Sequence, residues 1–283
     1  MNSIHRESIP LDKFLVDFRI QEGWGVPIAL YFFFCGTGAS LFILSSLLFR
    51  SSTGILIDLF FLGIGALILF FDLGNRWRFW KAFLKPRSSW ISRGTYLITF
   101  LFLYDFFYLL LGSSSFPYGL TFLGILVAIA VLLYPGFVLS YSPSISIWNH
   151  SFIPVLFGLH SLVNSFAIGW LIHPFNEKFI KQGTLFILLL ILLLIGTLVF
   201  ISVSYASNIG SKKSISLLVR GPNGLLFLWL GIGIGMIVPL FLMIPFKETP
   251  PLGLSALICL FRVAGDIGFR YSILRVGVYE PLI

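Results

Sequence analysis

About eight times along this chain an apolar run of roughly 20 residues recurs, the length that crosses about 30 Å of hydrocarbon at 1.5 Å per helical residue. In lipid such a run has few stable solutions, because its backbone N–H and C=O groups must be paired internally, and a continuous apolar run does so as a helix. The runs fall at about 25–49, 54–74, 94–112, 118–140, 152–172, 183–205, 224–245 and 252–271, with ends uncertain by about four residues. They predict an all-α polytopic membrane protein of about eight transmembrane helices, read as two four-helix bundles: an N-terminal tail over 1–24, a first bundle over 25–140, and a second bundle with the C-terminal tail over 141–283. Only 11% of the residues are charged, where a soluble domain has about 25%, and this excludes a soluble globular enzyme. Tails and connections share the remainder, which leaves no room for a soluble catalytic domain. Chemistry is therefore expected inside the bundle, at its surface, or on another polypeptide.

Cys35 and Cys259 both sit in apolar stretches and cannot by themselves hold an iron–sulfur cluster or tetrahedral zinc, which take about four ligands. Of the four histidines, His5 lies in the tail, His150 and His173 near the ends of one span, and His160 within it. Bis-histidine haem ligation needs two imidazoles at one depth, so no haem, iron–sulfur cluster or other metal is expected within this chain. Arg6, Glu7, Asp12, Lys13, Asp17 and Arg19 crowd the first twenty residues. That segment lacks the short apolar core of a cleavable signal, and the first helix is expected to insert uncleaved.

An even number of spans puts both termini on one face. Fourteen of the nineteen Lys and Arg residues fall on that face, in the N-terminal tail, the 75–93 loop, the loop with Lys212, Lys213 and Arg220, and the C-terminal end. Arg50, Lys178, Lys181 and Lys247 fall on the other, and Arg262 lies inside the last span. The positive-inside rule then places both termini on the cytoplasmic side. A basic face this dense also suits an acidic partner or lipid headgroups. No nucleic-acid partner is expected.

An ionisable group at membrane depth costs at least about 2.5 kcal/mol on insertion scales, which makes each one a candidate for function. Here they are Asp58, Asp72, Asp105, His160, Arg262 and Asp266. Counting residues from the terminal face puts Tyr31, Tyr134 and His160 roughly 9 to 12 Å deep, with Asp72 at the same face. Four polar side chains on four helices are thus predicted to converge in one leaflet. A two-electron quinone needs such a site: partners for two ring oxygens, a group that takes or gives a proton, and apolar walls. His160, with an ordinary pKa of about 6.5, suits the proton role; an intramembrane His or Tyr also serves as a plain interhelical bridge. Arg262, Asp266 and Arg270 fall at i, i+4 and i+8, with Arg262 and Asp266 expected to neutralise each other. Asp58 and Asp105, with Asp266 and Arg262, are candidates for a proton path; for the two first-bundle carboxyls the alternative is protonated groups bonded to neighbouring helices.

Three segments carry a resemblance. Gly23-Trp24-Gly25-Val26-Pro27-Ile28-Ala29-Leu30-Tyr31 leads into Gly36-Thr37-Gly38-Ala39-Ser40. Phe71-Asp72-Leu73-Gly74-Asn75-Arg76-Trp77-Arg78-Phe79-Trp80 is followed by Ser88-Ser89-Trp90-Ile91-Ser92-Arg93-Gly94. Tyr134-Pro135-Gly136 and Trp148-Asn149 precede Ile153-Pro154-Val155-Leu156-Phe157. Together these resemble the polysulfide reductase, NrfD-type, family of integral membrane subunits, whose pattern includes Asp-Leu-Gly-Arg-Pro-x-Arg-Phe and Ser-Trp-Met-Ser-x-Gly. The resemblance implies an eight-helix quinone-reactive anchor that binds menaquinone or another quinone. Its implied partners are a ferredoxin-like iron–sulfur subunit and, through it, a molybdopterin or other redox catalytic subunit. Arg76, Arg78 and Arg93 would dock that partner or stabilise semiquinone charge. Two departures stand out. Ile28-Ala29-Leu30-Tyr31 occupies the place of an Asn-x-x-His element found in some relatives, and Asn75-Arg76 replaces Arg-Pro. A tyrosine is a poorer proton acceptor than histidine at neutral pH, which leaves His160 as a candidate for that role.

The sequence therefore points to a membrane subunit of a respiratory oxidoreductase that exchanges two electrons between quinol and an iron–sulfur partner. Two other readings compete with it. One is a purely structural anchor that binds no quinone. The other is a proton-translocating or transport bundle, for which Gly231, Gly233, Gly235 and Pro239 hint at a broken helix.

Overall fold

The computed structural model describes residues 18–49, 52–112, 118–172, 182–246, 248 and 250–280. His5, the tail charges Arg6, Glu7, Asp12, Lys13 and Asp17, the 113–117 turn, Arg50, His173, Lys178, Lys181 and Lys247 lie outside the described residues.

Helix α1, Val26–Leu44, carries Pro27 in its first turn, where the absent N–H costs nothing, and runs into a π-wound turn, Ser45–Phe49. α2 spans Ser52–Asp72 and is followed by a 3₁₀ segment, Arg76–Phe83. α3 spans Trp90–Leu111, α4 Tyr118–Ser140, α5 Phe152–Ile172 and α6 Gly183–Ser207. A shorter helix, α7, Ile209–Arg220, occupies the expected sixth connection. A π-wound segment, Leu226–Ile237, continues into α8, Val238–Met243, and α9 spans Leu252–Arg275. Among the described residues eight helical segments are long and apolar enough to cross a membrane.

Three elements depart from the expected loops for local reasons. α3 starts four residues early because the Ser89 hydroxyl accepts the Ser92 N–H and caps the helix at Trp90. α7 forms because Asn208 caps it, accepting the Ser211 N–H at 2.8 Å, and because Ile215 and Leu218 supply a buried stripe opposite exposed Lys212 and Lys213. α9 runs on to Arg275, which places Arg270 inside the fold, fully buried, and not among the face charges where the sequence count puts it.

α1 packs on α2, α4, α5 and α9 and is the most enclosed span. Around it α1 to α4 pack on one another, and α5, α6, the Leu226–Met243 segment and α9 form a second group. The stretch Gly36-Thr37-Gly38 explains the central place of α1: a Cβ on Gly36 would collide with the Ser161 hydroxyl, and one on Gly38 would lie 3.0 Å from Asp58 Oδ1. Small residues let neighbouring backbones approach where lipid supplies no hydrophobic drive between helices. Gly136 acts the same way at the start of α5, where a Cβ would strike the Pro154 backbone.

The glycine-rich seventh span does not unwind. It stays helical, π-wound through Gly231, Gly233 and Gly235 and α-helical at Pro239, and this turns Gly231 toward Phe269 and Gly235 onto Gly265 of α9. A Cβ on Gly235 would lie 2.7 Å from Gly265 Cα. Gly235→Leu is therefore expected to force the seventh span and α9 apart at a cost of about 1–3 kcal/mol or more. A lowered melting temperature of the detergent-solubilised protein is the readout, and unchanged melting would contradict it.

The two described ends meet on one face. β1, Arg19–Ile20, pairs antiparallel with β2, Val278–Tyr279. Gln21 donates to the Trp24 and Leu274 carbonyls at 2.7 and 2.9 Å, and the Trp148 indole donates to Ile273 at 2.9 Å. Outward-facing Leu188, Leu192, Ile195 and Leu198 on α6 are exposed, as lipid-facing side chains are in a multi-pass membrane protein. Just ahead of α5, the Phe152 N–H donates to His150 Nδ1 at 3.3 Å. Partial burial holds His150 below the usual imidazole range, which keeps that nitrogen free to accept.

Candidate functional site

The motif between α2 and α3 is built around a cavity. The Arg76–Phe83 segment folds over the groove between α2 and α3, and Arg93 fastens the return loop by donating to the Pro86 and Arg87 carbonyls at 2.9 and 2.8 Å. The Arg93 guanidinium also lies 4.6 Å from the Trp90 ring, which stacks on Phe137 of α4 at 5.0 Å. Gly94 has no side chain because the Tyr134 ring fills that place. The pattern Ser89-Trp90-x-Ser92-Arg93-Gly94 thus caps a helix, clamps a loop and seats one aromatic ring.

Beneath this cover lies a cavity of about 550 Å³, walled by Leu67, Phe70, Phe79, Phe83 and Phe102, with Ala66 and Gly63 on the α2 side. Its polar lining residues are Tyr31, Thr95 and Thr99. Thr95 spends its proton on the Ile91 carbonyl at 2.9 Å. Tyr31 is buried, and its hydroxyl donates to the Tyr134 hydroxyl at 3.5 Å, so Tyr134 stands behind it. The volume falls within the roughly 300–1,000 Å³ of small-molecule sites, and apolar walls with few polar groups are their usual make-up.

The four residues expected to converge separate into three places. Tyr31 and Tyr134 meet at the cavity. Asp72 is exposed at the end of α2 and borders a shallow cleft with Val26, Pro27 and Leu30 on the outside of the bundle. His160 is fully buried between α5 and α9. There its Nδ1 lies 3.2 Å from Asp266 Oδ1 and 3.2 Å from the Arg262 guanidinium, and its ring packs 4.2 Å from that of Phe269.

The α5/α9 cluster is a continuous polar network. Asp266 accepts from Arg270 Nε at 2.8 Å and from Asn164 Nδ2 at 2.6 Å. Asn164 in turn accepts from Arg262 at 3.0 Å, and Arg262 also donates to the Gly235 carbonyl. Arg270 reaches the Phe157 carbonyl at 3.1 Å and the Ser161 hydroxyl at 2.9 Å. The carboxylate's ion pair therefore goes to Arg270, where the sequence spacing assigns it to Arg262. Side chains on a helix lean toward its N-terminus. Arg270 accordingly leans back onto Asp266, while Arg262 leans away from it toward Gly235. Asn164 and Ser161 carry no charge that marks them in the sequence; the one signal is that both follow His160 in a polar run that includes Ser165.

The remaining candidates also find places. Asp58 of α2 and Asp105 of α3 are fully buried and lie within interaction distance of each other, and none of their carboxyl oxygens has a hydrogen-bond partner among the described residues. Arg76 lies 5.0 Å from the Phe71 ring, and Arg78 is exposed beside Trp77 and Trp80. Arg93 is committed to the loop as described. Cys35 and Cys259 are buried free thiols.

Eight apolar spans among the described residues, a buried ionic network and an apolar cavity under a basic, aromatic loop define a multi-pass helical membrane protein. The family model described as Polysulphide reductase, NrfD, matches residues 19–280, and the protein belongs to that family. It is 26% identical over 299 aligned residues to the C subunit of the polysulfide reductase of Wolinella succinogenes, an alignment that covers 90% of this sequence and 94% of that protein.

Proposed function

We propose that this protein is the quinone-reactive membrane subunit of a multisubunit oxidoreductase and that the cavity beneath Arg76–Phe83 is its quinone site. The observation that carries this reading is the junction of an apolar cavity of about 550 Å³ with the buried Tyr31 hydroxyl. Phe70, Phe79, Phe83 and Phe102 suit a ring and the first part of an isoprenoid tail. Tyr31 Oη holds one ring oxygen, and Tyr134 orients Tyr31 by accepting its proton. A bound quinone supplies two-electron, two-proton chemistry that no side chain of this fold offers by itself. The protein's part is to exclude water, fix the ring, and move a proton at Tyr31 Oη.

Electrons leave the membrane through a partner. The exposed 3₁₀ segment presents Arg76, Arg78 and Lys81 together with Trp77, which is 89% exposed. A surface that is basic, aromatic and adjacent to the cavity fits an iron–sulfur subunit, with a molybdopterin or other catalytic subunit beyond it. His160 serves the ionic network in this reading, and the proton role falls to Tyr31.

Tyr31→Phe keeps the ring and removes the hydroxyl. Turnover of the assembled complex with menaquinol or ubiquinol analogues is expected to fall about 10- to 100-fold, the scale of one hydrogen bond lost at a buried polar group, while assembly stays intact. Wild-type turnover in this variant would remove Tyr31 from the site. Absence of quinone from a lipid extract of the purified complex would favour the structural anchor.

A further inference from the structure

Tyr31, Cys35 and Gly38 fall at i, i+4 and i+7 and share one face of α1. Tyr31 lines the cavity, and the Cys35 thiol lies one turn deeper, within interaction distance of the Tyr31 hydroxyl. Cys35 fits because Gly65 of α2 has no side chain: a Cβ there would lie 2.8 Å from the sulfur. One turn deeper, Gly38 is equally bare, and the Asp58 carboxyl takes up that space. Cys35 also lies within electrostatic reach of Asp58, so the thiol stands between the cavity's hydroxyl and the deep carboxyl.

All four carboxyl oxygens of Asp58 and Asp105 are buried without a hydrogen-bond partner among the described residues, and the two carboxyls lie within interaction distance of each other. Neither takes part in an ion pair there; the described pairs all use Asp266. Two neighbouring carboxylates that are fully buried with no cation paired to them cannot both stay charged, so the pair holds at least one proton. The pair sits just below the cavity: Gly63 and Phe102 line it, and Asp58 and Asp105 follow five and three residues deeper, about 4 to 8 Å along the helices.

We propose that Asp58 and Asp105 form a proton-holding site that exchanges one proton with the cavity by way of Tyr31 and Cys35. The proposal rests on the cavity being the quinone site. When a quinol there gives its two electrons, one at a time, to the partner's chain of iron–sulfur clusters, the proton on the ring oxygen beside Tyr31 passes to Tyr31 Oη. The Tyr31 O–H turns from the Tyr134 oxygen to Cys35 and passes its proton to Sγ, and the thiol proton moves to Asp58. The pair goes from one proton and a single negative charge to two protons and none, and the second quinol proton leaves from the other ring oxygen. Tyr31 and Cys35 end as they began. Neutralising a charge in low dielectric favours this direction, and the stored proton must leave before the next turnover.

Redox-difference infrared spectroscopy on the purified complex tests this directly. As bound quinone is oxidised and reduced, the spectra are expected to contain the C=O stretch of a protonated carboxylic acid. That band should shift in D2O, vanish in D58N and in D105N, and persist in E22Q, whose carboxyl is exposed. Turnover with a menaquinol analogue is expected to fall about tenfold in Cys35→Ala and to recover in Cys35→Ser, with quinone content unchanged. A wild-type complex that retains quinone and shows no such band overturns the proposal, needs no variant to fold, and leaves the cavity's assignment standing. Undiminished turnover in Cys35→Ala overturns the relay. A complex from which no quinone can be extracted overturns both the relay and the quinone site.

Discussion

Asp266→Leu is expected to remove the folded subunit from the membrane almost entirely. Asp266 accepts from Arg270 and Asn164 and lies beside His160, and it is the acid among the described residues that answers two fully buried guanidiniums. Breaking a buried pair by deleting one partner costs about 3–5 kcal/mol, because the other charge stays buried and uncompensated. Total stabilities of about 5–15 kcal/mol leave little in reserve. The loss here reaches further than one pair, since Asn164 relays the same carboxylate to Arg262. Combining Asp266→Leu with Arg270→Met is expected to restore much of the protein, because replacing both partners with apolar groups approaches neutrality. Quantifying the complex in membranes, with melting in detergent, checks both. A stable single variant would mean that the network contributes little to the fold.

Ala66→Trp is expected to produce the largest loss of activity, about 100-fold or more, with the complex intact. Ala66 faces the cavity from α2 opposite Phe102 and Thr99 of α3, so the indole enters open space and not a packed interface. A filled cavity excludes the ring that Tyr31 is to hold, and an interaction made throughout the reaction is lost as a whole. Quinone should disappear from the lipid extract along with turnover. Normal turnover with quinol analogues would show that electrons enter elsewhere. The carboxyl pair and the α5/α9 network lie away from this substitution, which separates its effect from that of Asp266→Leu.

The polar candidates show how far residue counting carries. Depth along a helix follows from position at 1.5 Å per residue, and on that basis Tyr31, Tyr134 and His160 stand level. Level residues meet only if their helices turn them the same way. α1 and α4 bring the two tyrosines together, whereas α5 turns His160 onto Asp266 and Arg262 of α9. Asp58 and Asp105 are two separate points on a proton path when read from the sequence; the packing of α2 on α3 brings them together as one buried pair. The Ser89-to-Gly94 motif is readable as a pattern, but its reason, a bare Gly94 for the Tyr134 ring, depends on a residue forty positions away.

The sequence by itself determined the membrane class, the number and approximate limits of the spans, and the basic loop beside the second and third helices. Those properties follow from local apolar length and from a backbone that must satisfy itself in lipid. Only the tertiary structure decided which buried polar groups share a site. That choice rests on the rotation of each helix about its axis and on the close approaches that Gly36, Gly38, Gly65 and Gly94 permit. Such contacts join residues far apart in the sequence, and no local pattern encodes them.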